Sequence, residues 1–390
     1  MTHPSQHWLR LALAPEIGPV LAHRLLAAVG DPEKIFASGE KTLLAVTGMG
    51  RGRLEKLLDP SVPRAAADEL ARCEAAGVSL LTLADAAYPV LLRQMEYPPL
   101  VLWVRGRIDP ADRLAITIVG PRRPSQYACL MTERLAPPLA SKSLTLVSGL
   151  AYGVDSIVHK SAVETGGRTL AVVGHGLGVE LYPAANAQLA ESIRDGHGAL
   201  LSIFPMRTEP SPGLFPQRNE VLAGLGLATL VIEASPESGT LITARHAAAA
   251  NRIVMACPGD ATRRASQGSN RLLAEGAILV QAAEDVLEPL DNELRRGMAE
   301  LGHAAPSRPK IQADLFDESA EPAPPAAAPP DPLSDRIMDL VASEPQPIDV
   351  LLIQCEAAGS PPGQVMEKLL MLELEGRLRQ LPGRVYAACR

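Results

Sequence analysis

Five short segments carry the side chains of this sequence best suited to holding an anion or a flat ring. Gly120-Pro121-Arg122-Arg123-Pro124-Ser125 follows the apolar run AITIV. Its glycine allows close backbone approach, Ser125 has the side chain of a helix cap, and Arg122 is free to meet a phosphate. A tight turn with a solvated arginine is the alternative. Gly149 and Gly153 bracket a second turn after LTLVS, with Asp155 at the start of a helix and His159 one turn later. Asp155 reads as a plain cap, and His159 as either a buried hydrogen-bonded histidine or a general base. Gly174-His175-Gly176-Leu177-Gly178, ahead of Tyr182-Pro183, imitates a dinucleotide fingerprint with its third glycine misplaced, which suits close passage of the chain under a ligand. Phe215-Pro216-Gln217-Arg218-Asn219-Glu220 places one of only four phenylalanines beside an arginine. In a cleft that pair stacks a nucleobase; elsewhere Phe215 anchors a core. Ser238-Gly239-Thr240 opens a further helix and offers a nest of backbone N–H groups to an anion.

The elements that position these turns follow from periodicity. Seven apolar runs without polar alternation (AITIV, LTLVS, TLAVV, ALLSI, TLVIE, IVMAC and AILV) lie between residues 114 and 290, separated by helical segments. Strands buried on both faces belong to a parallel sheet sandwiched by helices, so the fold class is α/β with a central Rossmann-like, doubly wound parallel sheet. In such sheets ligands bind beyond the carboxyl ends of the strands, where these turns fall.

Upstream, residues 1–65 read as an all-helical domain. Ile17, Val20, Leu21, Leu25 and Val29 form one stripe, and the turns Ile17-Gly18-Pro19 and Gly48-Met49-Gly50 each precede a helix. The pattern is that of paired helix-hairpin-helix units, with a purely structural role or contact with DNA both open. Residues 66–113 connect this domain to the sheet domain of 114–290. A Pro/Ala-rich linker over 291–332 is too poor in apolar residues to build a core. Helical runs at Ser334–Ala342 and Gln364–Glu375, then a hairpin turning at Pro382-Gly383, outline a winged helix over 333–390.

Composition bounds the function. The 390 residues are 47% hydrophobic and 21% charged, with a net charge of −7, values of a folded protein. By segment the charge is 0 over 1–115, −1 over 116–289 and −3 over each of 290–330 and 331–390. A nonspecific polycation is excluded, and any nucleic acid must be held by a local pocket. Five scattered cysteines without a CxxC pair argue against a disulfide framework or a zinc site and for a cytoplasmic location, and no secretory signal or membrane-spanning run is legible.

Read together and in order, VGPRRPSQY, SGLAYGVD with His159, GHGLGVELYP, FPQRN, SGTLITARHA, CPG and GSNRLLAEGA resemble the DNA-processing protein A (Smf) family over about residues 85–290. The resemblance implies a single-stranded DNA-binding protein without catalysis or cofactor. Such a protein protects incoming DNA during natural transformation or recombination and loads the RecA recombinase, usually as a homodimer. It implies a phosphate-binding Arg122 in a loop shaped by Gly120 and Ser125, a base-contacting Phe215, the pair Arg218 and Asn219, and a second phosphate-facing turn at Ser238, Gly239 and Thr240, with Gly149 and Gly153 between. Five positions depart from the family's usual residues: Pro121, Tyr152, Ala184, Pro212 and Glu220. Four of these changes remove positive charge from the cleft rim, which implies weaker or less salt-sensitive DNA binding. The competing class is a nucleotide-processing enzyme of the phosphoribohydrolase type, with Glu233 as its carboxylate; the PGGxGT loop of those hydrolases is missing. In the linker, Gln312-Ala313-Asp314-Leu315-Phe316 resembles a peptide that docks on the DNA polymerase sliding clamp through Gln312, Leu315 and Phe316. Folding back onto this protein's own body is the alternative.

Overall fold

The structure is a computed structural model, described over residues 5–142, 144–301, 332–342, 344–374, 376–381 and 385–388. The chain divides into two units, Met1–Ser307 and Arg308–Arg390.

The first unit is built on a nine-stranded sheet. Its strands are β1 (Ser79–Thr82), β2 (Val101–Gly106), β3 (Ala115–Val119), β4 (Thr145–Ser148), β5 (Thr169–Val172), β6 (Gly198–Ser202), β7 (Ala228–Val231), β8 (Ile253–Ala256) and β9 (Ile278–Leu279), in the order β1-β2-β6-β5-β4-β3-β7-β8-β9. All seven apolar runs are strands, and β3 to β9 pair in parallel. The inner strands β3 to β7 are buried at every residue, which is why no polar alternation interrupts them. The chain runs outward from β3 to β6, then crosses back to β7 on the other side of β3. The switch point therefore lies between β3 and β7, beyond Val119 and Val231.

Residues 66–113 do more than connect: β2 pairs antiparallel with β6 and β1 with β2, widening the sheet at one edge. Nor does the helical region stop at 65. Six helices run from Gln6 to Ala75, the last spanning Ser61–Ala75. Leu9, Leu25, Ile35 and Leu57 of these helices share one core with Trp103 of β2, Ala171 of β5 and Leu200 of β6. Glu69 of the last helix is buried, accepting from Trp103 Nε1 (2.9 Å) and the Met206 N–H (2.6 Å) on Oε1, and from Arg72 (3.2 Å) on Oε2. The first ten residues assigned to the linker are also ordered, as the helix Asp291–Glu300, because Leu294 belongs to the core that Leu114 lines and Gly297 packs directly on Leu114.

Among its described residues the second unit holds three helices, Pro332–Ala342, Ile348–Glu356 and Pro362–Leu374, with a three-stranded sheet of Gln346–Pro347, Val385–Ala388 and Leu378–Leu381. Ile337, Leu351, Val365, Leu369 and Tyr386 form its core. This is the winged-helix outline with one more helix than the two read from periodicity. The turn at Pro382-Gly383 and the segment with Gln312, Leu315 and Phe316 lie outside the described residues. Among the described residues, no helix is long and apolar enough to cross a membrane.

Candidate nucleic-acid interface

Beyond the carboxyl ends of β3, β4 and β5 the expected turns converge on one pocket, lined by Arg122, Gly149, Ala151, Tyr152, Gly174, Tyr182, Pro183 and Phe215. Phe215 enters it from the first turn of the helix Leu214–Leu225, which joins β6 to β7. The Arg122 guanidinium lies over its ring, with the central carbon 4.6 Å from the centroid, a cation–π contact. Gly174 passes so close that a Cβ there would stand 2.9 Å from Phe215 Cδ1. The glycine thus makes room for the aromatic ring rather than for a ligand directly.

Around this pair the loops are fastened. Ser125 caps the helix Gln126–Ser141, accepting from the Ala128 N–H (3.2 Å), while its hydroxyl and N–H donate to the two oxygens of Glu233 (2.7 and 3.2 Å). The buried Glu233 carboxylate is therefore engaged on both oxygens in holding the Arg122 loop. Gly120 and Gly153 bring the loops after β3 and β4 together. A Cβ on Gly120 would meet Val154 at 2.5 Å, and one on Gly153 (φ 79°) the Pro121 carbonyl at 2.4 Å. Ser238 Oγ donates to Thr240 Oγ1 (2.9 Å) and accepts from the Thr240 N–H (3.2 Å) at the start of the helix Thr240–Ala249. Asn219 Nδ2 faces the Gly239 carbonyl at 3.4 Å, tying this turn to the helix that carries Phe215.

Arg218 departs from the expectation of a DNA-facing arginine. Its residue is 5% exposed, and Nη1 donates to the carbonyls of Gly149 (2.6 Å) and Val172 (2.5 Å), while Nε donates to Asn219 Oδ1 (3.2 Å). A Cβ on Gly149 would lie 2.2 Å from Nη1, so only glycine leaves space for the guanidinium beneath that loop. Burial lowers the Arg218 pKa to about 10, against the raising effect of Asp155. It is still charged at neutral pH, and it supports the pocket floor instead of presenting to solvent.

His159 is fully buried and its pKa falls to about 3, first through desolvation and then through the Arg218 charge. It is a neutral imidazole: Nε2 accepts from the Leu150 N–H (3.2 Å) and Nδ1 meets Thr169 Oγ1 (2.7 Å). It acts as a fastener of the β4 loop, the first of the two readings its position allowed. Asn186 completes that fastening by donating to the Leu150 carbonyl (2.9 Å). Sequence reasoning gave no role to Asn186 or Tyr182. The motif Tyr182-Pro183, three residues ahead of Asn186, was the one available signal. Of the four basic positions missing from the rim, Tyr152 lines the pocket, Ala184 and Pro212 are exposed, and Glu220 is half-buried.

Comparison with known proteins bears on this arrangement. A family model described as DNA recombination-mediator protein A matches residues 79–291, and one described as DprA winged helix domain matches residues 321–384. The chain is similar to Protein Smf of Synechocystis sp., 31% identical with 97% of this chain and 98% of the relative covered. It is also similar to Protein Smf of Escherichia coli, 35% identical with 77% and 75% covered. The X-ray structure of DNA processing protein A from Streptococcus pneumoniae superposes with a TM-score of 0.64 at 27% identity, covering 74% of this chain and 98% of that chain. By sequence along nearly its whole length, and by the fold that carries the pocket, the chain belongs to the DNA recombination-mediator protein A family.

Proposed function

We propose that the pocket beyond β3, β4 and β5 binds single-stranded DNA, and that the protein acts as a binding mediator in DNA processing rather than as an enzyme. The observation that carries this reading is the pairing of Arg122 with Phe215 beyond the carboxyl ends of β3, β4 and β5. A cation for the backbone and an aromatic ring for an unpaired base stand side by side in one pocket, 4.6 Å from guanidinium carbon to ring centroid. Duplex DNA keeps its base faces stacked, so a site of this kind favours single strands. The Ser238-Gly239-Thr240 turn, with Asn219 against it, extends the anion-binding rim. The enzymatic alternative needs a free carboxylate beside a ribose, whereas Glu233 is bound on both oxygens by Ser125.

On this reading the mediator hands its strand to RecA and works as a homodimer during natural transformation or recombination, as the family resemblance implies. The helices of residues 6–75 serve as helix-hairpin-helix units, with the turns at Gly18 and Gly48–Gly50 toward the DNA backbone. The test is fluorescence anisotropy with a labelled single strand and its duplex at two salt concentrations. Preferential single-strand binding with a shallow salt slope is expected. Equal affinity for the duplex, or release of free base from a nucleoside monophosphate, overturns the reading.

A further inference from the structure

The Phe215 ring, which carries the base contact in the reading above, is half-buried and has Arg122 on its face in the free protein. Arg122 lies over it at 4.6 Å and Gly174 passes against it. Two other rings in the same pocket are open. Tyr182 stands with its ring centroid 6.5 Å from that of Phe215, tilted by 51°. Tyr152 lines the pocket on the β4 loop. Each tyrosine is 47% exposed. In a chain with only 2 tryptophans, 6 tyrosines and 4 phenylalanines, three aromatic rings in one pocket are a concentration that the core does not require.

The loops that present the tyrosines are held rigid from below. The turn leading to Tyr152 has its Gly149 carbonyl on Arg218, its Leu150 N–H on His159 and its Leu150 carbonyl on Asn186. Leu150 adopts φ 53°, a left-handed conformation costly for leucine that this network maintains. The Tyr182 N–H donates to His175 Nε2 (3.2 Å), and Pro183 beside it is buried. Rings on fixed loops lose little conformational freedom when a ligand arrives. With a net charge of −1 over residues 116–289, attraction to phosphates is modest, and stacking is the stronger source of affinity.

We propose that Tyr152 and Tyr182 are the open stacking faces of this cleft, on which unpaired nucleobases seat, and that Phe215 is reached only when Arg122 leaves its ring for a phosphate. This deepens the single-strand reading and rests on it. The experiment titrates the full chain with a thymidine homo-oligonucleotide and with an abasic strand of equal length, at two salt concentrations. Tyr152→Ala and Tyr182→Ala each weaken binding of the base-bearing strand about 5- to 150-fold, the range of one lost stacking contact. They leave the salt slope and the abasic strand unchanged, and Tyr152→Phe and Tyr182→Phe bind as wild type. Thermal unfolding at the wild-type temperature confirms that these exposed positions do not affect the fold. Wild-type affinity in the doubly substituted protein, or equal losses on base-bearing and abasic strands, overturns the platform. Failure of the unmodified chain to bind either strand instead overturns the reading beneath it.

Discussion

At the scale of single residues, the pocket separates three kinds of positive and aromatic side chain by what each touches. Arg122 is exposed at the pocket rim, so on the proposed reading Arg122→Ala removes one phosphate contact and lowers the single-strand salt slope by about 0.7. Phe215→Ala leaves that slope alone and costs about 1–3 kcal/mol of binding; titrations at several salt concentrations separate the two. Arg218 differs in kind. Arg218→Met strips the Gly149 and Val172 carbonyls of their donor and leaves Asp155 buried without its counter-charge. It destabilises the fold by about 3–5 kcal/mol in denaturant titrations, whether DNA is present or absent. An Arg218→Met protein of wild-type stability shows the buried placement to be wrong. Glu220 belongs to the rim: Glu220→Arg tightens single-strand binding and steepens its salt dependence, and an unchanged isotherm places the side chain away from the strand.

At the scale of elements, the parallel strands were legible because strands buried on both faces leave unbroken apolar runs, and the turns were legible because they follow those runs. What was hidden has physical reasons. The helix Leu214–Leu225 is obscured in the sequence by Pro216 in its first turn, so the Phe215 segment reads as a turn. The burial of Arg218 left no compositional trace, since its partners include backbone carbonyls from the loop after β4 and from β5. The short edge strand β1 is too brief to set a period, and β2, which pairs with it, joins the parallel strands only through antiparallel pairing with β6. His159 links helix to loop, and its sign in acid follows from its environment. Its folded pKa, near 3, lies below the ordinary value of 6.5. Between these values the unfolded chain binds the extra proton, so the histidine's contribution to stability is full above about pH 6.5 and declines as pH falls toward 3. Asp155, whose carboxyl burial raises, works in the opposite direction. The difference between wild type and His159→Gln in denaturant titrations from pH 7.5 to pH 5 therefore isolates the histidine. The wild type loses stability more steeply, and parallel curves refute the neutral, buried imidazole.

At the scale of the whole molecule, the chain joins a pocket-bearing unit to a winged helix through a segment that carries Gln312, Leu315 and Phe316. If that segment docks on the sliding clamp, the full chain binds purified clamp, a peptide of residues 308–320 does so with micromolar affinity, and Leu315→Ala with Phe316→Ala abolishes both. No binding at high micromolar peptide sinks the idea. A different consequence follows from Glu69. The family match begins at residue 79, yet the carboxylate that holds Trp103 and the Met206 N–H comes from a helix ending at Ala75. Truncating the chain at the match boundary strips Trp103 and Leu200 of the helices that cover them and leaves two buried donors without an acceptor. The first seventy-five residues are thus no detachable appendage: a chain begun at residue 79 is expected to be insoluble or to unfold at a lower temperature than the full chain, which expression and thermal unfolding check, and transplanting helices from a relative succeeds only when the sheet face they shelter travels with them.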